Sequence, residues 1–488
     1  MFPNQRTGSV GKARPSAPEQ HSLGYEIKRQ SAYISLGLLA LLFPFLPNWL
    51  IALGVFLGTI SIMYMPSDSP LFKAISSEKD REAGVLIGPL KFSQAILLLA
   101  ILVVAPLNFP VYVLAAVIGA VAFGEGFATI VTQLVRGDRG VFWSVTVLLL
   151  GTAFAFIFGY WVITNGLANG SVTLPQGVNP VYYMFFLAVI GTVTGALLYT
   201  IVDEDNIAIP LGAGMAMWLF TSLDYTAVPH PANIVIAVAV PLVIGIITYK
   251  LNAVDLSGAL SGVLCGLLMI VFGGNNFGGN NFSWFAQMMT LLILGAIFTK
   301  YKYEYKRKIG AAESNAGSRG YKNVFGNCFI PMAFVVAYGV LGSTSMPYFG
   351  YVDRSVFMIG FLGAMATATA DTMASEIGST YKGQPIMITT LRHVPPGTDG
   401  GISPLGEAAS IFGATAIAVI AIPLGLTANN LPIMLGLTIL TGFLGTNIDS
   451  LLGATLQRWG ILSNAGVNLI ATLIGGLFAM TAYYLFFL

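Results

Sequence analysis

Carboxylates stand at two widely separated places in this 488-residue sequence, each time within an apolar stretch. Glu125 is followed four residues later by Thr129, and Asp371 is followed four residues later by Ser375 and then by Glu376. Side chains four residues apart share one face of a helix, so each acid has a hydroxyl group beside it. Because desolvating a carboxylate is costly, each acid needs a cation, a polar partner or a water-filled cavity. Both places are therefore candidates for a site that binds a cation.

A second acid completes each set, and the separations of the matching acids nearly agree. Asp205, followed directly by Asn206, comes after the first set, and Asp449 comes after the second. Glu125 and Asp371 are 246 residues apart, and Asp205 and Asp449 are 244 residues apart. Unrelated acids would not keep this offset, so the sequence predicts an internal duplication.

Basic and glycine-rich segments accompany the acids in both halves. Arg81 precedes the first set and Arg319 the second, while segment 136–140 follows Glu125 and segment 396–403 follows Asp371. Glycines expose backbone N–H groups to phosphate oxygens, basic side chains neutralise them, and carboxylates hold Mg²⁺. The combination is typical of a phosphate site, although no Walker sequence is present. Taken singly, the basic residues also suit topology determinants, and the glycines suit ordinary turns.

The composition indicates whether these residues lie in a soluble protein or in a membrane protein. Hydrophobic residues make up 56% of the chain and charged residues 9%, whereas a soluble domain carries about 25% charge. Apolar runs long enough to cross a bilayer as helices recur from Ala32 to the C-terminus. The sequence therefore predicts an all-α, polytopic integral membrane protein with about 15 transmembrane helices, and it argues against a nucleic-acid partner. Cys265 and Cys328 offer neither a disulfide framework nor a metal-ligand spacing.

The distribution of Lys and Arg predicts the orientation of these spans. The spans are predicted near residues 31–46, 49–65, 92–107, 110–135, 141–163, 181–202, 207–223, 232–249, 255–273, 284–300, 327–344, 355–378, 404–424, 431–457 and 465–487. With the N-terminus in the cytoplasm, every Lys and Arg except Arg354 falls on the inner side. Residues 1–26 are predicted to be a disordered cytoplasmic tail, residues 27–250 a first membrane repeat and residues 251–488 a second.

The predicted duplication is parallel rather than inverted. Matching elements are displaced by eight predicted spans, an even number, so both copies have the same orientation in the membrane. The eighth span is then an unpaired linker, and both sets of acids face the cytoplasm, where nucleotides are found.

Several ordered motifs carry a family resemblance. In the second half they are Arg319-Gly-x-x-Asn323 with Asn327, Ala368-Thr-Ala-Asp371-Thr-Met-Ala-Ser-Glu376, Pro396-Gly-Thr-Asp399-Gly-Gly401-Ile-Ser403 and Asp449-Ser-Leu-Leu-Gly-Ala-Thr-Leu-Gln457. In the first half they are Glu125-x-x-Ala128 and Asp205-Asn206-x-x-x-Pro210. The second half closely resembles the membrane family that contains plant phytyl-phosphate kinase. The first half more loosely resembles the superfamily of phytol kinase, dolichol kinase and CDP-diglyceride synthase, and it departs from that pattern at residues 136–144.

The resemblance implies a membrane-embedded kinase that transfers a phosphoryl group from CTP or another nucleoside triphosphate to an isoprenoid phosphate or alcohol of the phytyl or geranylgeranyl type. It implies Mg²⁺ held by Asp371, Glu376 and Asp449, with Arg319 also catalytic. The residues assigned to nucleotide or phosphate are Lys322, Asn323, Asn327, Arg392, Gly397, Thr398, Asp399, Gly400, Gly401 and Ser403. A first-repeat site would use Arg81, Glu125, Thr129, Asp205 and Asn206.

Two other functions use similar parts. A cytidylyltransferase that forms a CDP-lipid would need the same cation and phosphate groups, and only its product differs. A transporter of lipids or small molecules would also enclose acids within a multispan protein. The acids are predicted at the cytoplasmic ends of the spans rather than at the midplane, which favours an enzyme over a transporter.

Overall fold

The computed structural model describes residues 23–107, 109–135, 141–174, 178–202, 205–221, 231–273, 282–309, 319–341, 353–427 and 430–487. Most of the predicted N-terminal tail and the loop 136–140 lie outside these ranges, as does the side chain of Asp205. Residues 23–26, predicted to belong to the tail, form the first turn of a helix.

The described chain is built almost entirely of helices. Those of the first half are α1 (Leu23–Gly37), a 3₁₀ segment (Leu38–Phe45), α2 (Asn48–Met63), α3 (Pro70–Ile75), α4 (Glu78–Ala83), α5 (Ile87–Val104), α6 (Val111–Ile118), a π-helical segment (Gly119–Glu125), α7 (Gly126–Val135), α8 (Val141–Asn169), α9 (Pro180–Ile201), α10 (Asp205–Thr221) and α11 (Pro231–Lys250). Those of the second half are α12 (Leu256–Phe272), α13 (Phe282–Lys300), α14 (Tyr303–Lys308), α15 (Tyr321–Leu341), α16 (Ser355–Gly378), α17 (Pro404–Ala421), α18 (Leu431–Leu452), a second π-helical segment (Gly453–Gln457) and α19 (Asn464–Phe487). The strands β1 (Ile386–Met387) and β2 (Gly401–Ile402) form an antiparallel pair between α16 and α17.

The helices have the lengths and composition that a bilayer requires. Within the described ranges, nine helical segments are long and apolar enough to span a membrane, and four further apolar helices are shorter. Each span predicted from the sequence coincides with a helical segment. The prediction of an all-α polytopic membrane protein is thus confirmed, while the number of spans and their orientation stay predictions.

Small residues allow α16 to occupy the centre of the second half. α16 packs against α13, α15, α17, α18 and α19. Of its apolar membrane-spanning stretch, 89% is buried inside the protein, against 33% for that of α19. Gly413 of α17 lies so close that a β-carbon there would be 2.8 Å from the Thr369 carbonyl oxygen. A β-carbon on Gly445 of α18 or Gly475 of α19 would overlap the Thr367 hydroxyl. Since lipid gives no hydrophobic drive for helix association, such close backbone contact is what holds these helices together.

The two halves share an order of neighbouring helices, although not every contact corresponds. In the first half α8 packs between α6 and α9, and α9 packs on α10; in the second half α17 packs between α16 and α18, and α18 packs on α19. The outer helices differ, because α2 packs on α5, whereas α12 rather than α13 packs on α15. A displacement by eight spans would pair α2 with α13, so the halves differ in how their first two helices are placed.

Replacing Gly445 by leucine should destabilise the second half, because the added side chain must displace Thr367 and push α18 away from α16. Overpacking of this kind costs about 1–3 kcal/mol, so the thermal unfolding temperature of the purified protein should fall. Gly436→Leu is a matched control on the same helix, because a β-carbon at Gly436 meets no atom within 4 Å. Equal unfolding temperatures for the two variants would contradict the close packing described here.

Candidate functional site

A polar cavity of about 470 Å³ lies at the C-terminal end of α16. Its walls come from α15 to α19 and from the loop that joins α16 to α17. The residues predicted from the sequence that line it are Arg319, Asn323, Asn327, Asp371, Glu376, Gly397, Thr398, Asp399, Gly400, Gly401, Ser403 and Asp449. Lys322 and Arg392 are exposed and do not line it. The fold thus brings together residues that are up to 130 positions apart in the sequence, from Arg319 to Asp449.

Two of the predicted metal ligands lie next to each other in the wall of this cavity. The carboxyl groups of Asp371 on α16 and Asp449 on α18 are close enough to share a hydrogen bond. With its amide oriented as a donor, Asn468 Nδ2 lies 3.1 Å from Asp449 Oδ2. Two adjacent carboxylates repel each other unless a proton or a cation lies between them. The pair can therefore hold either a shared proton or a divalent cation.

The third predicted metal ligand, Glu376, has other partners. Its carboxylate accepts a hydrogen bond from Thr299 Oγ1 at 2.6 Å and forms a close ion pair with Lys306 Nζ. Asp371 and Glu376 are five residues apart, which places them about 140° apart around a helix. Among the described residues, no three Asp, Glu, His or Cys side chains gather in a way that could hold a metal ion. The predicted trio is therefore divided into a carboxylate pair and an acid held by a lysine.

Lys306 is a buried cation beside the cavity that sequence reasoning did not select. Its side chain is 1% exposed, and its Nζ also donates to the carbonyl oxygens of Phe298 and Thr299 at 2.8 Å each. Those carbonyls end α13, where the helix dipole favours a positive charge. The short helix α14 turns back after α13 and delivers Lys306 to this position. In the sequence, Lys306 is one of several basic residues between 300 and 308, and nothing there distinguishes it from its neighbours.

Arg319 is positioned by its backbone and by a glycine. Arg319 N donates to Ala253 O, and Asp255 N donates to Arg319 O, each at 3.1 Å. The guanidinium lies against α13, where a β-carbon on Gly295 would be 2.6 Å from its Nη1. Its Nη2 is 3.4 Å from Thr299 Oγ1 and 3.8 Å from Glu376 Oε1. The positive charge is thereby held at the edge of the cavity.

The glycine-rich loop forms another part of the cavity wall. Gly397 and Gly400 adopt positive φ angles of 80° and 77°, a conformation that favours glycine. A β-carbon on Gly400 would be 2.7 Å from the Ser450 carbonyl oxygen, so the loop lies directly on the end of α18. Asp399 accepts a hydrogen bond from Gln457 Nε2 at 3.0 Å. Partial burial raises the pKa of the Asp399 carboxyl, and the charge of Arg458 acts in the opposite direction.

A further acid missed by the sequence reasoning also lines the cavity. Glu407 stands in the first turn of α17, and Asn447 Nδ2 donates to its Oε2 at 3.1 Å. The sequence signal for Glu407 was an acid in the first turn of an apolar helix, a position where the helix dipole stabilises a carboxylate.

Two of the predicted first-half residues, Glu125 and Asn206, belong to a separate group. Glu125 ends the first π-helical segment, and it lies near Tyr33 of α1 together with Arg29 and Asp80. A β-carbon on Gly88 would be 3.7 Å from the Tyr33 hydroxyl and 3.8 Å from Asn206 Oδ1, which brings Asn206 to the same place. Arg29 and Tyr33 were not singled out, because the predicted span begins among them.

Two other first-half residues do not join this group through a described contact. Arg81 is exposed and donates to Ser76, from Nε to Oγ at 3.2 Å and from Nη2 to the carbonyl oxygen at 3.3 Å. Thr129 is half-buried one turn beyond Glu125. The resemblance of the first half to a phosphate site thus depends on Glu125 and Asn206.

Replacing Lys306 by alanine should lower the unfolding temperature of the protein strongly. Removing one partner of a buried ion pair leaves the other charge uncompensated and costs about 3–5 kcal/mol. Lys308→Ala is the matched control, because Lys308 lies on the same short helix and is exposed.

The double variant Lys306→Met/Glu376→Gln should recover most of the lost stability, because it removes both charges and keeps the apolar stem of the lysine. If Lys306→Ala unfolds at the wild-type temperature, the ion pair does not stabilise this part of the protein.

Comparison with known proteins places the cavity within one family. Residues 239–476 match the family described as integral membrane protein DUF92, and every residue that lines the cavity lies in this range. An uncharacterized membrane protein of Methanocaldococcus jannaschii is 30% identical over 248 residues, which cover 51% of this chain and 93% of that protein. Another, from Synechocystis sp., is 31% identical over 195 residues, 40% of this chain and 71% of that protein.

A plant relative extends the comparison. The chloroplastic protein VTE6 of Arabidopsis thaliana is 28% identical over 251 residues, 50% of this chain and 70% of that protein. No solved structure matches. These matches confirm the family resemblance predicted for the second half. The chain belongs to the DUF92 family of integral membrane proteins.

Proposed function

We propose that the second half is a prenyl-phosphate kinase, which transfers the terminal phosphoryl group of CTP or another nucleoside triphosphate to an isoprenoid phosphate. The observation that carries the proposal is the arrangement of the cavity, in which the Asp371–Asp449 pair lies with Arg319 and a glycine-rich loop around one polar space. The confirmed resemblance to the family of plant phytyl-phosphate kinase supports the same reaction. An isoprenoid alcohol is the other acceptor to be tested.

The residues present fit a bound Mg²⁺. Mg²⁺ prefers oxygen ligands from one or two carboxylates together with phosphate oxygens, and the Asp371–Asp449 pair offers such carboxylates. Asn327 adds a buried side-chain oxygen, which lines the cavity and has no hydrogen-bond partner in the described part of the chain. We assign the metal to Asp371 and Asp449. When bound, the ion would neutralise the phosphate charge that these acids would otherwise repel.

The chemistry proposed for this site needs positioning more than acid–base catalysis. An oxygen of the acceptor phosphate attacks the terminal phosphorus of the nucleotide, a new P–O bond forms, and the bond to the bridging oxygen breaks to release the nucleoside diphosphate. A phosphate acceptor is already ionised, so no strong base is required. Arg319 neutralises charge on the phosphates, and Glu376 with Lys306 holds Arg319 in place. Backbone N–H groups of the 397–403 loop are suited to phosphate oxygens.

We keep the phosphate-binding roles predicted for Lys322 and Arg392, but we assign both residues a position outside the cavity. Both are exposed outside the cavity, so we assign them to the capture of an anionic substrate before it enters the cavity. Long, flexible cations act as steering charges at such positions.

We also propose that the chain crosses the membrane about 15 times, with its N-terminus and both acidic sites in the cytoplasm, and that its halves are parallel repeats. The coincidence of predicted spans with helices supports the number, and the shared order of neighbouring helices supports the duplication. The different placement of α2 and α13 is then a divergence of the outer helices from a common arrangement of five inner ones.

The first half, in this proposal, is weakened or adapted to a different acceptor. Glu125 is a single acid on its helix, whereas Asp371 has Asp449 opposite it. Trp143, which stands where a small residue would let phosphate approach, is buried with its ring stacked on Tyr199, the ring centroids 3.8 Å apart. A single carboxylate can still hold Mg²⁺ together with substrate oxygens, so we assign an alcohol acceptor to the first half.

Paired variants test which half reacts with which acceptor. Asp371→Asn should insert and fold normally and reduce formation of prenyl diphosphate from prenyl monophosphate by at least about 100-fold, because it removes a carboxylate from the metal pair. Glu125→Gln should leave that reaction intact. Both variants are assayed with prenol and with prenyl monophosphate, each with the four nucleoside triphosphates and over a range of Mg²⁺ concentrations.

The control is Asp353→Asn, a change of the same type beside the other end of α16, where Asp353 accepts a hydrogen bond from Ser355 N at 2.8 Å. Wild-type turnover by Asp371→Asn would exclude the metal assignment. A CDP-lipid product would identify a cytidylyltransferase instead. Absence of nucleotide consumption with every acceptor would favour transport.

Single cysteines test the orientation. The two native cysteines are buried, so cysteines added in exposed loops can be distinguished from them. In intact cells, a membrane-impermeant maleimide should label Ser171→Cys, between α8 and α9, and should not label Lys382→Cys, between α16 and α17, until the membrane is permeabilised. Labelling of Lys382→Cys in intact cells would reverse the proposed topology.

A further inference from the structure

An apolar groove adjoins the polar cavity. It has a volume of about 70 Å³ and lies between α11, α12, α13 and α15. Its apolar lining includes Ile244, Phe285, Met288, Met289 and Leu292. Methionines are flexible and polarizable, so they suit a surface that must adapt to a hydrocarbon of irregular shape.

The groove and the cavity share one wall. Arg319, Asn323 and Asn327 line both spaces. Successive members of this set are four residues apart, and the two asparagines follow one face of α15. A ligand can therefore contact this wall with a charged end in the cavity and with an apolar end in the groove.

The outer side of the groove belongs to the membrane-facing surface. On α11, Val243 and Ile247 flank the groove residue Ile244 and are 52% and 48% exposed. On α13, Ile293 adjoins Leu292 and is 57% exposed. Apolar residues exposed on spanning helices face lipid, so a chain in the groove can extend into the bilayer between α11 and α13.

We infer that the groove binds the first part of the hydrocarbon chain of a lipid phosphate, whose phosphate group contacts Arg319 at the junction with the polar cavity. The inference rests on the proposed function for the reaction at this site. It adds the place where the hydrocarbon chain of the acceptor lies. The positive charge of Arg319 matches an anionic headgroup, and the apolar walls match its chain. A water-soluble phosphate would leave the groove unused.

Gly262 of α12 offers a way to fill the groove. It lines the groove, and a β-carbon there would meet no atom within 4 Å. Gly262→Leu should therefore occupy the space of the chain without disturbing the helices. Gly436→Leu, on α18 and equally free of nearby atoms, is the matched control away from the groove.

The experiment measures binding to the purified full-length protein. Geranylgeranyl phosphate, dodecyl phosphate, dimethylallyl phosphate and inorganic phosphate are titrated in detergent, and the dissociation constants are determined from ligand-induced thermal stabilisation. We expect the two long-chain phosphates to bind more tightly than the other two. Gly262→Leu should weaken long-chain binding by about tenfold, as expected when burial of about two methylene groups is lost, and should leave inorganic phosphate unaffected.

Two outcomes would overturn the inference. One is equal binding of long-chain phosphates by Gly262→Leu and Gly436→Leu, and another is wild-type protein that binds short and long chains equally. A selective loss for geranylgeranyl phosphate alone identifies an isoprenoid chain, whereas loss for both long chains identifies any lipid phosphate.

The two proposals can fail separately, because this binding test requires no turnover. If Gly262→Leu loses affinity only for long-chain phosphates, and the wild-type protein consumes no nucleotide, lipid binding in the groove is supported and the kinase activity is excluded. If Gly262→Leu does not fold, Met289→Trp narrows the groove from α13 and takes its place in the same comparison.

Discussion

The buried contact between Lys306 and Glu376 is the interaction on which the second-half site depends. A lysine side chain that is 1% exposed requires acceptors around its ammonium group, and Lys306 finds them in Glu376 and in the carbonyls of Phe298 and Thr299 at the end of α13. This contact ties α13 to α16. It also compensates the charge of Glu376, which then accepts from Thr299 and lies near Arg319. These charged groups at the edge of the cavity therefore all have partners within the protein.

Close helix packing supplies the second condition. Gly413, Gly445 and Gly475 allow α17, α18 and α19 to approach the backbone or short side chains of α16. The same approach carries Asp449 to Asp371, although the two acids lie on different helices. A wider separation would solvate each carboxylate independently and remove the need for a shared proton or cation. The packing of glycines and the chemistry of the acids are thus parts of one arrangement.

The halves differ in how they provide positive charge. In the second half the basic groups come from α14 and from the segment before α15, as Lys306 and Arg319. In the first half Arg29 and Tyr33 of α1 lie near Glu125, and Arg81 turns away to Ser76. The inner helices of the two halves thus share an order of neighbours, while the basic groups come from different outer elements. Since Arg319 contacts the phosphate groups in our proposal, the segment that carries it would adapt the second half to its own acceptor.

The sequence by itself determined the class of protein, and most of the second-half residues that it predicted line the cavity. Apolar runs predict helices because a bilayer offers the backbone no other hydrogen-bond partners, and the ordered motifs around Arg319, Asp371, 396–403 and Asp449 identified residues that do line one cavity. Only the tertiary structure decided which acids share a partner. Sequence spacing reports the direction of a side chain on its own helix, whereas partners come from other helices. For this reason Glu376 was grouped with Asp371 in the prediction, and for the same reason Lys306 could not be told apart from the other basic residues near it. Lys306 acquires its role because α14 folds back on α13 and leaves it no contact with water.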